Sequence, residues 1–179
     1  MSPAIPSALC NTSFGNAVGF NDGWRFMPAD SAAMSLPEYP DSTWRQLSLP
    51  HDWSIEMLPA PTLNSCTGYY PGGIGWYRKT FLTPDDGAER HFIYFEGIYN
   101  RSEVYLNGHL LGRRPNGYVS FAYNMTPWLR PAGEPNTLAV RVDHSREADS
   151  RWYTGSGIYR DVWLVSASET RFDLWGIGW

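Results

Sequence analysis

The sequence predicts an all-β fold, a jelly roll or related sandwich of two stacked antiparallel sheets, and three observations carry that prediction. Short runs rich in β-branched and aromatic residues recur along the chain. Glycine (17) and proline (14) punctuate them at short intervals. Helical periodicity is nearly absent, so the chain lacks the helical connections that a βαβ fold would need.

The first predicted strand covers 75–82, opening on Gly75-Trp76-Tyr77-Arg78. Pro84-Asp85-Asp86-Gly87 has strong turn chemistry and returns the chain to a second strand at 91–96. Asn107-Gly108 is the favoured two-residue hairpin signal and joins predicted strands 102–107 and 109–112. In the strand at 136–143, Leu138, Val140 and Val142 share one face and Thr137, Ala139 and Arg141 the other, the alternation of a half-buried strand that packs by its aliphatic side. A last strand falls at 161–166. The stretches 27–40 and 55–70 show no period and read as loops; loops of that length are more often functional or interface-forming than idle.

A chain of 179 residues fits one domain with a sizeable core. Aromatic residues reach 16%, with Trp 9 and Tyr 11, and flat rings of this kind fill sandwich cores or stack on sugar faces. A net charge of -4, with charged residues at 18%, supplies neither a basic stripe for nucleic acid nor a polybasic segment for a membrane surface. No apolar run is long enough to span a bilayer, and Met1 to Cys10 does not read as an intact signal peptide. Cys10 and Cys66 lack metal-ligand spacing, which argues against a zinc site; they read as two unpaired thiols, with a single bridge left open. No cofactor is expected. N-x-[ST] triplets begin at Asn11, Asn100 and Asn124 and matter only in a glycosylating host.

Five segments carry a resemblance: Leu49-Pro50-His51-Asp52-Trp53; Gly72-Gly73-Ile74-Gly75 running into Trp76-Tyr77-Arg78-Lys79-Thr80-Phe81; Glu103-Val104-Tyr105-Leu106-Asn107-Gly108; Gly117-Tyr118 through Phe121; and Ser150-Arg151-Trp152-Tyr153-Thr154-Gly155-Ser156-Gly157-Ile158-Tyr159-Arg160. In order and spacing they resemble the galactose-binding-like, sugar-binding domain of glycoside hydrolase family 2, nearest its β-galactosidase branch; Asn21-Asp22-Gly23-Trp24-Arg25-Phe26 and Asp161-Val162-Trp163-Leu164 extend the match. The resemblance implies a jelly roll at 20–169, preceded by a mobile extension at 1–19, and a tail at 170–179, with Trp175 and Trp179, leading toward an immunoglobulin-like domain. It further implies a TIM barrel with two catalytic glutamates beyond that. The implied parent is a retaining hydrolase of β-linked sugars, with β-glucuronidase and β-mannosidase as other family activities.

Retaining hydrolysis needs two carboxylates about 5–5.5 Å apart across the bond. Asp22, Asp52, Glu96, Glu103, Asp149 and Asp161 are scattered and match no catalytic motif of the family, so no catalytic residue is assigned. The resemblance points instead to Arg151, Asp149 and Trp152, on a loop that in related galactosidases reaches the sugar subsite: Arg151 as donor to hydroxyls, Trp152 as an apolar face. The alternative is that Arg151 pairs with Asp149 and Trp152 packs the sandwich. Some β-galactosidases place a polar amide near Pro71-Gly72-Gly73-Ile74; that contact does not carry over, although the loop at 67–75, with Tyr69 and Tyr70, is expected to border the parent's active site. Gly155 and Gly157 read as turn residues of unusual φ. Adjacent residues on an extended chain point apart, so His51 and Asp52 are not a base and its orienter. The Leu49–Trp53 run reads as a structural corner, with Trp53 in the core and Asp52 bonded to backbone amides. A stand-alone carbohydrate-binding module is the second reading, separable by titrating the chain with galactose, lactose and other glycans.

Overall fold

The structure, a computed structural model, describes residues 9–12, 14–146, 150 and 152–176, with backbone alone at 9–12 and 66. Among the described residues eleven strands are present: β1 Leu9–Thr12, β2 Gly15–Gly19, β3 Trp24–Met27, β4 Arg45–Leu47, β5 Gly73–Leu82, β6 Arg90–Phe95, β7 Ser102–Leu106, β8 His109–Arg114, β9 Phe121–Asn124, β10 Pro135–His144 and β11 Val162–Ala167. The only helical pieces among the described residues are short 3-10 turns. A five-stranded sheet runs β1-β2-β11-β6-β9 and a six-stranded sheet runs β4-β3-β5-β10-β7-β8. Every paired strand is antiparallel, and the two sheets form the predicted sandwich.

The six predicted strands are all present. Leu138, Val140 and Val142 are each 0% exposed and meet Ile93, Phe95, Phe121 and Val162 of the opposing sheet. The expectation of a half-buried β10 needs correction, because Ala139 is also 0% exposed and Thr137 only 8%. The cover comes from the segment between β3 and β4, which folds over the outer face and places Met34 and Trp44 against Trp76 and Ala139.

One buried cation secures that cover. Arg78, on the outer face of β5 and 2% exposed, donates through Nε to Asp41 (2.9 Å) and through its terminal nitrogens to the carbonyls of Met34 (2.5 Å), Leu36 (2.9 Å) and Pro37 (3.2 Å). An aperiodic segment has no ladder to satisfy its carbonyls, and the planar guanidinium supplies the donors instead. At the rim, Arg141 grips Asp30 with two bonds of 2.8 Å.

The five-stranded sheet is covered outside as well: Phe14, Ala17, Phe92, Trp163, Val165 and Ala167 form a second apolar cluster, with Leu174 packed against it. β2 pairs with β11 from Asn16 to Gly19, so a strand occupies the end of the expected N-terminal extension. Residues 170–176 carry no strand, and Phe172 and Trp175 are 62% and 72% exposed. Asn100 is folded away at 7% exposure, which closes its triplet to modification in the native state, whereas Asn124 is exposed. The side chains of Cys10, Asn11 and Cys66 lie outside the described residues.

Candidate functional site

β5 begins and β10 ends at the same place, with Gly73 registered against His144. The chain before β5 and the chain after β10 therefore meet at one end of the sandwich, where the turn after β8 joins them. Gly72 permits the contact, since a Cβ there would run into the His144 carbonyl. A cleft of about 250 Å³ opens between Tyr70, Gly72, Gly73, His144 and Arg146.

The corner at 49–53 forms as predicted. Trp53 is 3% exposed, stacks on Phe26 at 5.4 Å and donates Nε1–H to the Gly72 carbonyl at 3.1 Å. His51 and Trp53 donate their amides to the carbonyls of Ile158 (2.8 Å) and Ser156 (3.1 Å), so the corner lies along 156–158 like a short strand. Asp52, between them, accepts the amides of Ser54 (3.0 Å) and Ser156 (2.8 Å) on Oδ1 and the Tyr153 hydroxyl on Oδ2. Partial burial, then the Asp52 carboxylate, pushes that hydroxyl far above the ordinary tyrosine range. Ser54 Oγ donates to the Pro71 carbonyl (2.7 Å) and lies 2.6 Å from Ser156 Oγ, itself 2.6 Å from His144 Nδ1.

His51 faces away from Asp52, as expected. Its Nδ1 lies 2.7 Å from the Tyr77 hydroxyl, and its Nε2 lies 2.8 Å from the Arg45 guanidinium and 3.2 Å from Glu56. The Arg45 guanidinium only donates and the Glu56 carboxylate only accepts, so a neutral imidazole can satisfy one of the two at Nε2. Burial holds the imidazole below its ordinary value, and burial raises Tyr77 well above its own.

Gly155 (φ +73) and Gly157 (φ +128) occupy left-handed backbone, as their sequence context predicts. A Cβ at Gly155 would stand 2.7 Å from Asp52 Oδ2, and one at Gly157 would collide with the Tyr77 hydroxyl.

Around this frame stands a rim of exposed rings: Tyr69, Tyr118, Trp152 and Tyr153, with Trp152 the most open at 61%. Trp152 Nε1 donates to the Tyr118 hydroxyl at 3.0 Å, and Tyr70 meets Tyr153 edge-on at 5.6 Å. The exposed indole corrects the alternative in which Trp152 packs the sandwich. Asp149 and Arg151 lie outside the described residues. Sequence reasoning missed Tyr153, Ser54, Ser156 and His144 as members of this end; Asp52 and Tyr153 are 101 positions apart, and no local pattern links them. Apolar ring faces beside convergent hydroxyl and amide groups are the usual furniture of a sugar-contacting surface. Among the described residues no group of three or more His, Cys, Asp or Glu side chains is placed to hold a metal ion.

The family model for the glycosyl hydrolase 2 galactose-binding domain-like family matches residues 75–170, more than half of the chain. The chain belongs to glycoside hydrolase family 2. Within this family it is similar to "Beta-galactosidase BoGH2A" of Bacteroides ovatus, 48% identical over 88% of this chain and 19% of the relative. A "Putative beta-glucuronidase" of Formosa agariphila is 43% identical over 86% of this chain and 15% of its own length. Among solved structures, a beta-glycosidase from Bacteroides vulgatus superposes with a TM-score of 0.79 at 48% identity, covering 84% of this chain and 20% of that one. The chain thus spans about a fifth or less of these glycoside hydrolases, and what it shares with them is the galactose-binding-like sandwich.

Proposed function

We propose that the chain is a non-catalytic domain of a retaining glycoside hydrolase acting on β-linked sugars, foremost β-galactosides, and that its loop end lines the active site of a TIM barrel elsewhere in the same protein. An immunoglobulin-like domain is the further expected partner within that protein. The observation that carries this reading is the exposed ring cluster at the β5/β10 end, built on the loop that bears Trp152. Arg151 and Asp149, on the same loop, are the proposed polar contacts of the sugar, and Trp152 its apolar face. Asp52, at this end, is committed to three hydrogen bonds within the domain.

In the full-length protein, Arg151→Ala should lower kcat/KM on an aryl β-galactoside by roughly ten- to hundredfold with a normal thermal melt, the usual effect of losing a charge-assisted hydrogen bond to substrate. Wild-type kinetics with a normal melt would remove Arg151 from the substrate wall. A β-glucuronide-cleaving parent is the second reading, favoured by the 43% identity to the Formosa agariphila relative of that description; the ratio of aryl β-galactoside to aryl β-glucuronide turnover separates the two. Glycan binding by the isolated sandwich, read by titration calorimetry with galactose and lactose, would favour a self-sufficient carbohydrate-binding module instead.

A further inference from the structure

Asp52 joins two stretches of chain that are otherwise tied to different things. Ser54, on its near side, is anchored to the Pro71 carbonyl and belongs to the corner that Trp53 locks into the core. Tyr153 and Ser156, on its far side, bracket the turn at Gly155. The carboxylate accepts a donor from each of the three. Gly155 lets the turn approach the carboxylate this closely, because a Cβ there would stand 2.7 Å from Oδ2. Trp152 directly precedes Tyr153 and is held from its own indole nitrogen by Tyr118 at 3.0 Å. The most exposed ring of the rim is therefore held from two directions, once through Tyr118 and once through its neighbour's bond to Asp52.

We infer that Asp52 is a positioning residue: through Tyr153 and Ser156 it sets where the loop around Trp152 stands, and hence the orientation of the ring that the loop presents to a sugar. The inference rests on the sugar-facing reading above. Asp52 touches no substrate in this role. Its charge strengthens each bond it accepts, and a loop ordered in advance does not have to be ordered when the sugar arrives. A carboxylate that merely stabilised the turn would alter the melt and leave KM untouched.

Three variants of the full-length protein test this. Tyr153→Phe removes one hydroxyl and almost no packing, Asp52→Asn removes the charge, and Trp152→Ala removes the presented face. On aryl β-galactoside and aryl β-glucuronide, Trp152→Ala and Tyr153→Phe should each raise KM by about tenfold with kcat within about twofold. Tyr153→Phe should melt like the wild type, and Tyr153→Phe combined with Asp52→Asn should be no worse than Asp52→Asn alone. Wild-type KM in both Tyr153→Phe and Asp52→Asn beside an impaired Trp152→Ala overturns the positioning role and leaves the sugar-facing reading standing. Wild-type kinetics in Trp152→Ala sinks the sugar-facing reading itself. Amide hydrogen exchange decides the anchoring without any turnover: Asp52→Asn should speed exchange at Ser156 by about tenfold or more while Val140 stays unchanged. Unchanged exchange at Ser156 overturns the inference on its own.

Discussion

Arg78 pairs with one carboxylate, yet four of its hydrogen bonds end on main-chain carbonyls of the segment between β3 and β4. Replacing it with methionine would fill much the same volume and leave those acceptors without donors. Arg78→Met should cost about 3–5 kcal/mol, measured by urea unfolding, since removing one partner of a buried polar network strands the others. A loss below about 1 kcal/mol would show that water reaches Met34 and Leu36 in the wild type. Gly157 is constrained differently. Its φ of +128 is one that L side chains rarely adopt, and a methyl group would strike Tyr77. Gly157→Ala should destabilise by about 1–3 kcal/mol from the backbone alone, with the overlap adding to that. In the sequence both residues stand inside recognisable motifs, and the glycine's turn role is readable there. The role of Arg78 is not, because its acceptors are carbonyls that any side-chain sequence would provide.

The corner at 49–53 and strand β10 show how far elements can be read from sequence. The alternation of Leu138, Val140 and Val142 is a local signal with period two, and it correctly identifies the core face. The second buried face of β10 is carried by Ala139 and Thr137, small residues that look neutral, and by a cover whose 3-10 turns have no period to detect. Strands β1, β2, β3, β4 and β9, each of three to five residues, escape detection because so few positions cannot establish an alternation without a hairpin signal such as the Asn107-Gly108 pair that follows β7. At the candidate site the sequence yields the glycine turn and the Asp52 backbone bonds, while for Trp152 it leaves a sugar-facing ring and a packed one both open. The bond between Asp52 and Tyr153 is purely tertiary.

The same corner should confer a pH dependence on stability. Tyr77, Arg45, Glu56 and Asp52 surround His51, and burial dominates, so the folded chain binds the imidazole proton less readily than the unfolded chain. The contribution of neutral His51 is present above the ordinary value of 6.5 and is lost as pH falls through the depressed folded value. The carboxylates act lower: the Arg141 hydrogen bond holds Asp30 below its ordinary 3.8, and Arg45 holds Glu56 below 4.5 against its partial burial. Between about pH 7 and about pH 5 the decline in unfolding free energy should therefore belong largely to His51. Urea titrations at several pH values check this, and His51→Gln should flatten the slope in that window. An equal slope in the variant would assign the protons elsewhere.

At the scale of the whole molecule, the five-stranded sheet is assembled from opposite ends of the described chain. β2, at Gly15–Gly19, lies between β1 and β11, and β11, at Val162–Ala167, lies between β2 and β6. The seam continues beyond the strands, where Phe20 donates its amide to the Val162 carbonyl at 2.8 Å and Asn21 bonds Asp161 at 2.9 Å. A nascent chain emerging from the ribosome can build β5, β7, β8 and β10 into the six-stranded sheet well before β11 exists. Until residue 167 is free, however, β2 and β6 have open edges with unpaired amides and carbonyls. The domain should thus mature late in its own synthesis, and every pause before that point leaves two sticky edges for chaperones to guard. A chain ended at residue 160 should be recovered chiefly as aggregate, as read by the soluble fraction after expression. Supplying the missing strand in trans as a peptide spanning 160–170 should raise that soluble fraction by filling the gap between β2 and β6.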